Sequence, residues 1–172
     1  SKGDPFTGAQ YAHQIYAKAA PNYSGRCSVP IFWDKKSETI VSNESSEIIR
    51  MLNNTFNYLA TNSVPDLYPK DLQAEIDAVN EVVYNNINNG VYRTGFATTQ
   101  NAYEEAFNDL FSALDQMEAR LEGQRYLLGS RITEADWRLF ATLIRFDAVY
   151  VGHFKCNRRQ IVDGKSRYDV SV

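Results

Sequence analysis

Apolar residues recur at spacings of three and four along most of the chain, which is the period of an amphipathic helix. The pattern predicts helices over residues 8–19, 45–52, 70–88, 99–122 and 134–150. One segment differs, because residues 28–33 and 39–41 read as two short strands joined by a polar turn. The sequence therefore predicts a small α/β part followed by an α-helical bundle.

The predicted helices have defined faces and ends. In the first, Tyr11, Ile15 and Ala19 share one face. The two longest helices carry apolar stripes formed by Leu72, Ile76, Val79, Val83 and Ile87, and by Tyr103, Phe107, Leu110, Phe111, Leu114, Met117 and Leu121. Residues 88–90, Asn-Asn-Gly, are predicted to end the helix over 70–88. Thr133 and Asp136 have the spacing of a capping box at the start of the last helix.

Residues 53–69 are rich in Asn, Ser, Thr and Pro, which is typical of a linker. The predicted organisation is an α/β domain over residues 1–55, a linker over 56–69 and a helical domain over 70–172. We find no internal repeat that would suggest a different architecture.

Composition and charge limit the kinds of partner that this chain is predicted to bind. The chain is 44% hydrophobic with a formal net charge of −3, and no block of Lys or Arg exceeds two residues. Binding to nucleic acid or to an anionic membrane depends on clustered positive charge, so neither partner is predicted. No apolar run approaches a membrane span, and the first residues lack the apolar core of a signal peptide. With only two cysteines in 172 residues, the sequence predicts a reduced, cytoplasmic protein.

The hairpin has features of a binding site for a small extended molecule. A cis bond between Val29 and Pro30 would turn the Val29 N–H and C=O outward, towards the backbone of a ligand. The helix that opens at Glu44 and Ser45 has free N–H groups that favour a carboxylate, and Glu44 can bind an ammonium group. Glutathione, with a peptide middle and a charged amino-acid head, satisfies all of these groups. The same residues are also ordinary choices before a strand and at a helix cap, so a structural role stays open.

Three motifs carry a resemblance to a known family. They read YSGRCSVPIFWDKKSETIVSNESSEIIRMLN, NNGVYRTGFATTQNAYEEA and RYLLGSRITEADWRLFATLIRFDAVYVGHFKC. With the first helix they cover residues 8–160, and they resemble the glutathionyl-hydroquinone reductases, also called Xi-class glutathione transferases. The resemblance implies a partial thioredoxin-like domain (helix, β-hairpin, helix) that binds glutathione, followed by the helical bundle of glutathione transferases, which supplies the pocket for an aromatic substrate.

The resemblance also implies a reaction. Members of this family reduce S-glutathionyl-hydroquinones to free hydroquinones with a second glutathione, and they release glutathione disulfide. A cysteine thiolate attacks the thioether sulfur and becomes glutathionylated. For this chain, the implied co-substrate is glutathione and the implied substrate is an aromatic glutathionyl-hydroquinone. The family forms dimers largely through the helical domain, which leaves a homodimer open here.

Matched motif by motif, the resemblance implies two groups of site residues. The implied glutathione-binding residues are Arg26, Cys27, Ser28, Val29, Glu44 and Ser45. Val29 would contribute backbone hydrogen bonds, and Ser45 with the helix start would bind the γ-glutamyl carboxylate. Tyr92 matches the family tyrosine that exchanges a proton with the hydroquinone. Tyr150 matches a pocket tyrosine that helps to lower the pKa of the cysteine.

The family nucleophile lies in a Cys-Pro-Trp-Ala motif, which this sequence does not contain. Cys27 precedes a strand instead of opening a helix, and Cys156 belongs to a structural segment, so neither is expected to replace it. The residues after Ile161 also depart from the family pattern. His13 and His153 are not spaced as ligands, and no metal site is predicted.

We therefore expect this chain to be a fragment of a longer reductase and to be inactive by itself. Two alternatives stay open. One is a truncated, non-catalytic protein that binds glutathione or a partner protein. The other is an ordinary glutathione transferase that adds glutathione to electrophiles.

Overall fold

The computed structural model describes residues 3–162. The chain divides into two compact units, residues 1–65 and 66–172. The boundary between them falls inside the stretch predicted to be a linker, residues 56–69. The end of the predicted helical domain, residues 163–172, lies outside the described residues.

The first unit has the order helix, hairpin, helix, as predicted. Its elements are α1 (Ala12–Ala19), β1 (Phe32–Asp34), β2 (Thr39–Ser42), α2 (Ser45–Asn54) and a short 3₁₀ turn (Asn57–Leu59). The two strands are antiparallel, and Trp33 pairs with Ile40. The Val29–Pro30 peptide bond is cis, which is the form considered for a binding hairpin in the sequence analysis. The first strand begins at Phe32, later than predicted, because Pro30 has no N–H to donate to a partner strand.

The predicted apolar face of α1 is wrong in one respect. Tyr11 is 67% exposed, whereas Tyr16 is 4% exposed and is the buried residue of the helix. Tyr11 is the N-cap and has an extended backbone, so it does not share the helical period of the residues that follow. Tyr16 is buried because its hydroxyl group finds polar partners in other parts of the same unit.

The second unit is helical. Its elements are α3 (Gln73–Val82), a first π-helical segment (Val83–Asn88), α4 (Gly90–Gly95), α5 (Gln100–Arg120), α6 (Glu134–Arg145) and a second π-helical segment (Phe146–Tyr150). Its core contains Val79, Val83, Ile87, Val91, Leu110, Phe111, Leu114, Met117, Leu139, Leu143, Phe146 and Tyr150. Within residues 3–162, no helix is long and apolar enough to span a membrane.

The predicted stop at residues 88–90 is wrong. Asn89 has right-handed helical dihedral angles, φ −84° and ψ −27°, and Gly90 begins α4 without a positive φ. The side chain of Asn88 does not cap its own helix. Its amide donates to the carbonyl of Arg138 at 3.0 Å and to the hydroxyl of Thr142 at 2.6 Å, and both partners lie on α6. Asn-Asn-Gly therefore joins two helical stretches.

A second contact of the same kind connects α3 to the start of α6. The amide of Asn80 donates to the carboxylate of Glu134 at 2.8 Å in the buried core. We call the contacts of Asn80 and Asn88 the asparagine bridges. Both bridges advance by eight residues on each side, from 80 to 88 and from 134 to 142, so the continuous stretch of α3 and the first π-helical segment runs parallel to α6 and in one register with it.

The capping box at the start of α6 is confirmed. Asp136 accepts hydrogen bonds from the Thr133 N–H at 2.8 Å and from the Thr133 hydroxyl at 3.0 Å. Its second oxygen accepts the N–H of Leu127 at 2.8 Å. One carboxylate thus caps α6 and also holds the buried residue Leu127 in the loop that follows α5.

We predict that Asn88→Ala lowers the free energy of unfolding by about 1–3 kcal/mol, because it leaves the Thr142 hydroxyl and the Arg138 carbonyl without their partner. The matched control is Asn85→Ala, an exposed residue of the same π-helical segment, which should stay within about 0.5 kcal/mol of the parent. Urea denaturation followed by tryptophan fluorescence measures both. Equal losses for the two variants would contradict the structural role of Asn88.

Candidate functional site

The first group of predicted site residues lies in the loop before β1. Arg26 is exposed, Cys27 and Ser28 are half-buried, and Val29 is 75% exposed. Ser28 is held at both of its backbone groups by Tyr16, whose hydroxyl donates to the Ser28 carbonyl at 2.8 Å and accepts the Ser28 N–H at 3.3 Å. Val29 forms no backbone hydrogen bond within the described part of the chain. The loop is therefore fixed at Ser28 and open at Val29.

The loop is brought next to the start of α2. The side-chain amide of Asn43, one residue before Glu44, donates to the Tyr16 hydroxyl at 2.9 Å and lies 3.4 Å from the Ser28 hydroxyl. Contact with the Ser28 side chain, and then with Asn43, lowers the pKa of Tyr16. Tyr16 and Asn43 were not predicted from the sequence, because the partners of Tyr16 are 12 and 27 residues away from it along the chain.

Glu44 and Ser45 form the N-terminus of α2. Glu44 is the N-cap, and its Oε1 accepts from the Ser46 N–H at 3.2 Å and from the Ser46 hydroxyl at 3.1 Å. Behind the cap, the Ser42 hydroxyl accepts the Glu44 N–H at 3.1 Å and donates to Glu47 at 2.8 Å. The Ser45 N–H and hydroxyl have no partner among the described residues. They are available to an anion at this helix start.

The second group consists of two tyrosines in the helical unit. The hydroxyl groups of Tyr92 on α4 and Tyr150 at the end of the second π-helical segment lie 3.2 Å apart. Tyr150 is buried and Tyr92 is 43% exposed, so the pair opens to solvent through Tyr92. The hydrogen bond with Tyr150, followed by burial, raises the pKa of Tyr92. Tyr92 is therefore a neutral phenol around pH 7 and can donate a proton.

Two phenylalanines complete an aromatic cluster around this pair. Phe96 stacks on Tyr92 with ring centroids 6.2 Å apart and is 71% exposed, while Phe154 packs edge-on against both tyrosines. Neither was predicted as a site residue. Each follows its tyrosine by four residues, 92 to 96 and 150 to 154. Residues at this spacing are neighbours on one face of a helix, and this is the feature of the sequence from which the two contacts could have been predicted.

Neither cysteine has the environment of a reactive thiol. Cys156 is fully buried, and burial raises its pKa to about 12. Its sulfur lies 3.9 Å from the Val91 carbonyl and 3.7 Å from the Phe154 carbonyl. Cys27 is half-buried in the loop before β1 and not at a helix start. Within residues 3–162, no group of three or more His, Cys, Asp or Glu side chains is placed to hold a metal ion.

The family model and the curated proteins that match this chain point to one group of relatives. Residues 100–169 match the family model of the glutathione S-transferase C-terminal domain. The glutathionyl-hydroquinone reductase PcpF of Sphingobium chlorophenolicum is 55% identical over 161 residues, which cover 93% of this chain and 51% of that protein. The glutathionyl-hydroquinone reductase YqjG of Escherichia coli K12 is 50% identical, over 96% of this chain and 50% of that protein. The chain spans about half the length of the curated relatives it matches.

Solved structures agree with the sequence matches. The glutathione S-transferase Xi from Phanerochaete chrysosporium has a TM-score of 0.89 and 56% identity, and the match covers 94% of this chain and 55% of that one. The glutathione-bound structure of E. coli YqjG has a TM-score of 0.90 and 50% identity, over 95% of this chain and 53% of that one. The predicted fold class is confirmed: a partial thioredoxin-like unit precedes a helical unit of the glutathione transferase fold.

We predict that a maleimide reagent at pH 8 modifies Cys27 and leaves Cys156 unmodified. A pKa of about 12 makes the Cys156 thiolate about a thousandfold rarer than that of an ordinary cysteine, and its burial also excludes the reagent. Peptide mass spectrometry measures both sites. In urea both cysteines should react, which is the control, and rapid labelling of Cys156 in the native protein would contradict its assignment as an inert core residue.

Proposed function

The chain belongs to the Xi-class glutathione transferases, and we propose that it acts in the glutathione-dependent reduction of S-glutathionyl-hydroquinones. The proposed products are the free hydroquinone and glutathione disulfide. The observation that carries this proposal is the pair of hydroxyl groups of Tyr92 and Tyr150, 3.2 Å apart. These are the two residues whose motifs match the tyrosines of the family.

The proposed chemistry needs a proton donor of this kind. In the first step a thiolate attacks the thioether sulfur, a sulfur–sulfur bond forms, and the bond from sulfur to the ring carbon breaks. The electron pair stays with the ring carbon, which must gain a proton to give the hydroquinone. Tyr92 is neutral and exposed enough to meet the ring, and it supplies that proton. Solvent then returns a proton to the tyrosinate left behind, and the hydrogen bond with Tyr150 favours the restored neutral phenol.

In the second step a glutathione thiolate attacks the mixed disulfide. Glutathione disulfide leaves, and the first thiolate is regenerated. The substrate is thereby reduced by two electrons, which two glutathione sulfurs supply as they become a disulfide.

The first unit supports a role in holding glutathione. Tyr16 fixes the backbone of Ser28, Asn43 donates to the Tyr16 hydroxyl, and Val29 next to Ser28 is left to pair with a peptide ligand. The Ser45 N–H and hydroxyl suit the γ-glutamyl carboxylate. We propose Arg26, Cys27, Ser28, Val29, Glu44 and Ser45 as the residues of this site.

We further propose that the attacking thiolate belongs to neither cysteine of this sequence. The raised pKa of Cys156 and the position of Cys27 away from any helix start support this. The nucleophile would then come from a Cys-Pro-Trp-Ala motif of the kind that the family uses. The same observation favours a second candidate function, in which the 172 residues bind glutathione or a partner protein without catalysis.

Three coarser features belong to the proposal. We propose a cytoplasmic protein, because both cysteines are free thiols. We propose a thioredoxin-like part over residues 1–55, a linker over 56–69 and a helical part over 70–172. Assembly as a homodimer follows the pattern of the family, and light scattering coupled to gel filtration tests it.

We predict that Tyr92→Phe, made in the intact protein together with its proposed Cys-Pro-Trp-Ala nucleophile, lowers kcat for glutathionyl-menadiol by about a hundredfold or more. The physical reason is that the ring carbon loses its proton donor. The Kd for glutathione should stay within about twofold, since Tyr92 is not needed to bind glutathione. The control is Tyr84→Phe, another half-exposed tyrosine of the same unit, which should leave both quantities unchanged. Equal losses in turnover and glutathione affinity for Tyr92→Phe would remove its role in proton transfer.

We predict that Cys27→Ser in the intact protein leaves kcat within about twofold of the parent, because the loss of a catalytic thiolate costs several orders of magnitude and the loss of a spectator costs little. Release of free menadiol measures the rate. A loss of more than about a hundredfold would assign the nucleophile to Cys27. A parent protein that binds glutathione and releases no menadiol would support the non-catalytic candidate.

A further inference from the structure

Gly95, the last residue of α4, lies against the side chain of Phe154 with no room for a methyl group. A Cβ atom built on Gly95 would lie 2.1 Å from Cδ1, 2.7 Å from Cγ and 2.8 Å from Cβ of Phe154. The last of these atoms is the root of the side chain, so rotation of the ring alone does not relieve the overlap. Gly95 has no positive φ, so its backbone does not require glycine. A glycine is therefore needed at this position because a larger residue would overlap the side chain of Phe154.

The ring of Phe154 contacts both members of the tyrosine pair. Its centroid is 5.3 Å from that of Tyr92 with an interplanar angle of 89°, and 5.4 Å from that of Tyr150 with an angle of 72°. Both are edge-to-face arrangements, in which the direction of each ring is fixed as well as its distance. Moving Phe154 therefore moves the two surfaces against which the hydroxyl groups are aligned.

The two residues that follow Phe154 are both held in place. The Cys156 N–H donates to the Tyr150 carbonyl at 3.0 Å, and the Cys156 side chain is fully buried. Lys155 has a φ of 57°, a region that non-glycine residues rarely adopt, and the Tyr103 hydroxyl donates to its carbonyl at 2.9 Å. The segment cannot move away as a whole without breaking these contacts, so a new group at position 95 must displace the ring.

We propose that Gly95 and Phe154 are positioning residues for the Tyr92–Tyr150 hydroxyl pair. Because Gly95 has no side chain, the Phe154 ring can pack against it, and the ring in turn keeps the two tyrosines aligned. Phe154 acts through the tyrosines and need not touch the substrate. As far as it concerns turnover, this inference rests on the proposed function. The alignment of the two tyrosines is a property of the protein by itself and can be measured without substrate.

The test compares Gly95→Ala with Gly152→Ala in the intact protein. Gly152 is in the same loop as Phe154, is exposed, and a Cβ there would meet nothing within 4 Å. Tyrosine labelled with carbon-13 at the ring ζ position reports the titration of each hydroxyl by NMR, with Tyr92→Phe and Tyr150→Phe assigning the signals. Gly95→Ala should move the titration of Tyr92 down towards that of an ordinary tyrosine, because its hydrogen bond to Tyr150 is what raises the pKa most. Gly152→Ala should not change it.

Turnover gives the second readout. Gly95→Ala should lower kcat about tenfold or more with KM for glutathione within about twofold, and Gly152→Ala should change neither. If the tyrosine titration moves and turnover does not, the positioning role stands and the proposed role of the tyrosines in catalysis fails. If Gly95→Ala changes neither the tyrosine titration nor turnover, the positioning role itself is overturned.

A double variant shows whether the effect passes through the ring. In a Phe154→Gly background, which removes the Cβ atom as well as the ring, the methyl group added at position 95 no longer overlaps residue 154, so adding Gly95→Ala should change the Tyr92 titration no further. A further shift as large as in the parent background would overturn the proposal. Where Gly95→Ala does not fold, Phe154→Leu gives the same test, because it keeps an apolar side chain and removes the ring edges. An unchanged Tyr92 titration in Phe154→Leu would also overturn the proposal.

Discussion

The asparagine bridges, which connect α3 and the first π-helical segment to α6, are the constraint on which the arrangement of the helical unit depends. Apolar packing has no preferred direction and tolerates sliding of one helix along another. A buried amide that needs its partner does not, because an unpaired polar group in the core costs free energy. Asn80 and Asn88 therefore fix the register of α6 against α3 and the π-helical segment that continues it. Tyr92 follows Asn88 by four residues and Tyr150 follows Thr142 by eight, so this register also decides that their hydroxyl groups meet.

The two π-helical segments have a related effect. One lies between α3 and α4 just before Tyr92, and the other extends α6 and ends at Tyr150. A π turn contains more residues than an α turn, so it rotates every later side chain around the helix axis. Segments of this kind are frequent at functional sites. Here the first segment ends four residues before Tyr92 and the second ends at Tyr150, so both segments affect the directions in which the two hydroxyl groups point.

The parts of the fold that depend on local contacts were predictable from the sequence. The capping box of Thr133 and Asp136 is formed within one helical turn, and the residue types at that spacing were sufficient to indicate it. The stripe on α5 follows a regular period and was also predicted. The role of Asn88 was not, because its amide binds residues 50 and 54 positions later and only the folded unit brings them together. The same applies to Tyr16, and the π-helical segments leave no mark in a pattern read at the α-helical period.

The residues of the candidate site divide in the same way, into those that the sequence indicates and those that only the folded structure identifies. Motifs in the sequence indicate Val29, Ser45, Tyr92 and Tyr150 as candidate site residues, whereas the proposed roles of Tyr16, Gly95 and Phe154 depend on contacts that no motif specifies. The clamp of Tyr16 on Ser28 has an energetic consequence for any ligand that pairs with Val29. Because both backbone groups of Ser28 are already bonded, the neighbouring peptide is preorganised before the ligand arrives. Binding then orders little further chain, and less conformational entropy is lost in forming the complex.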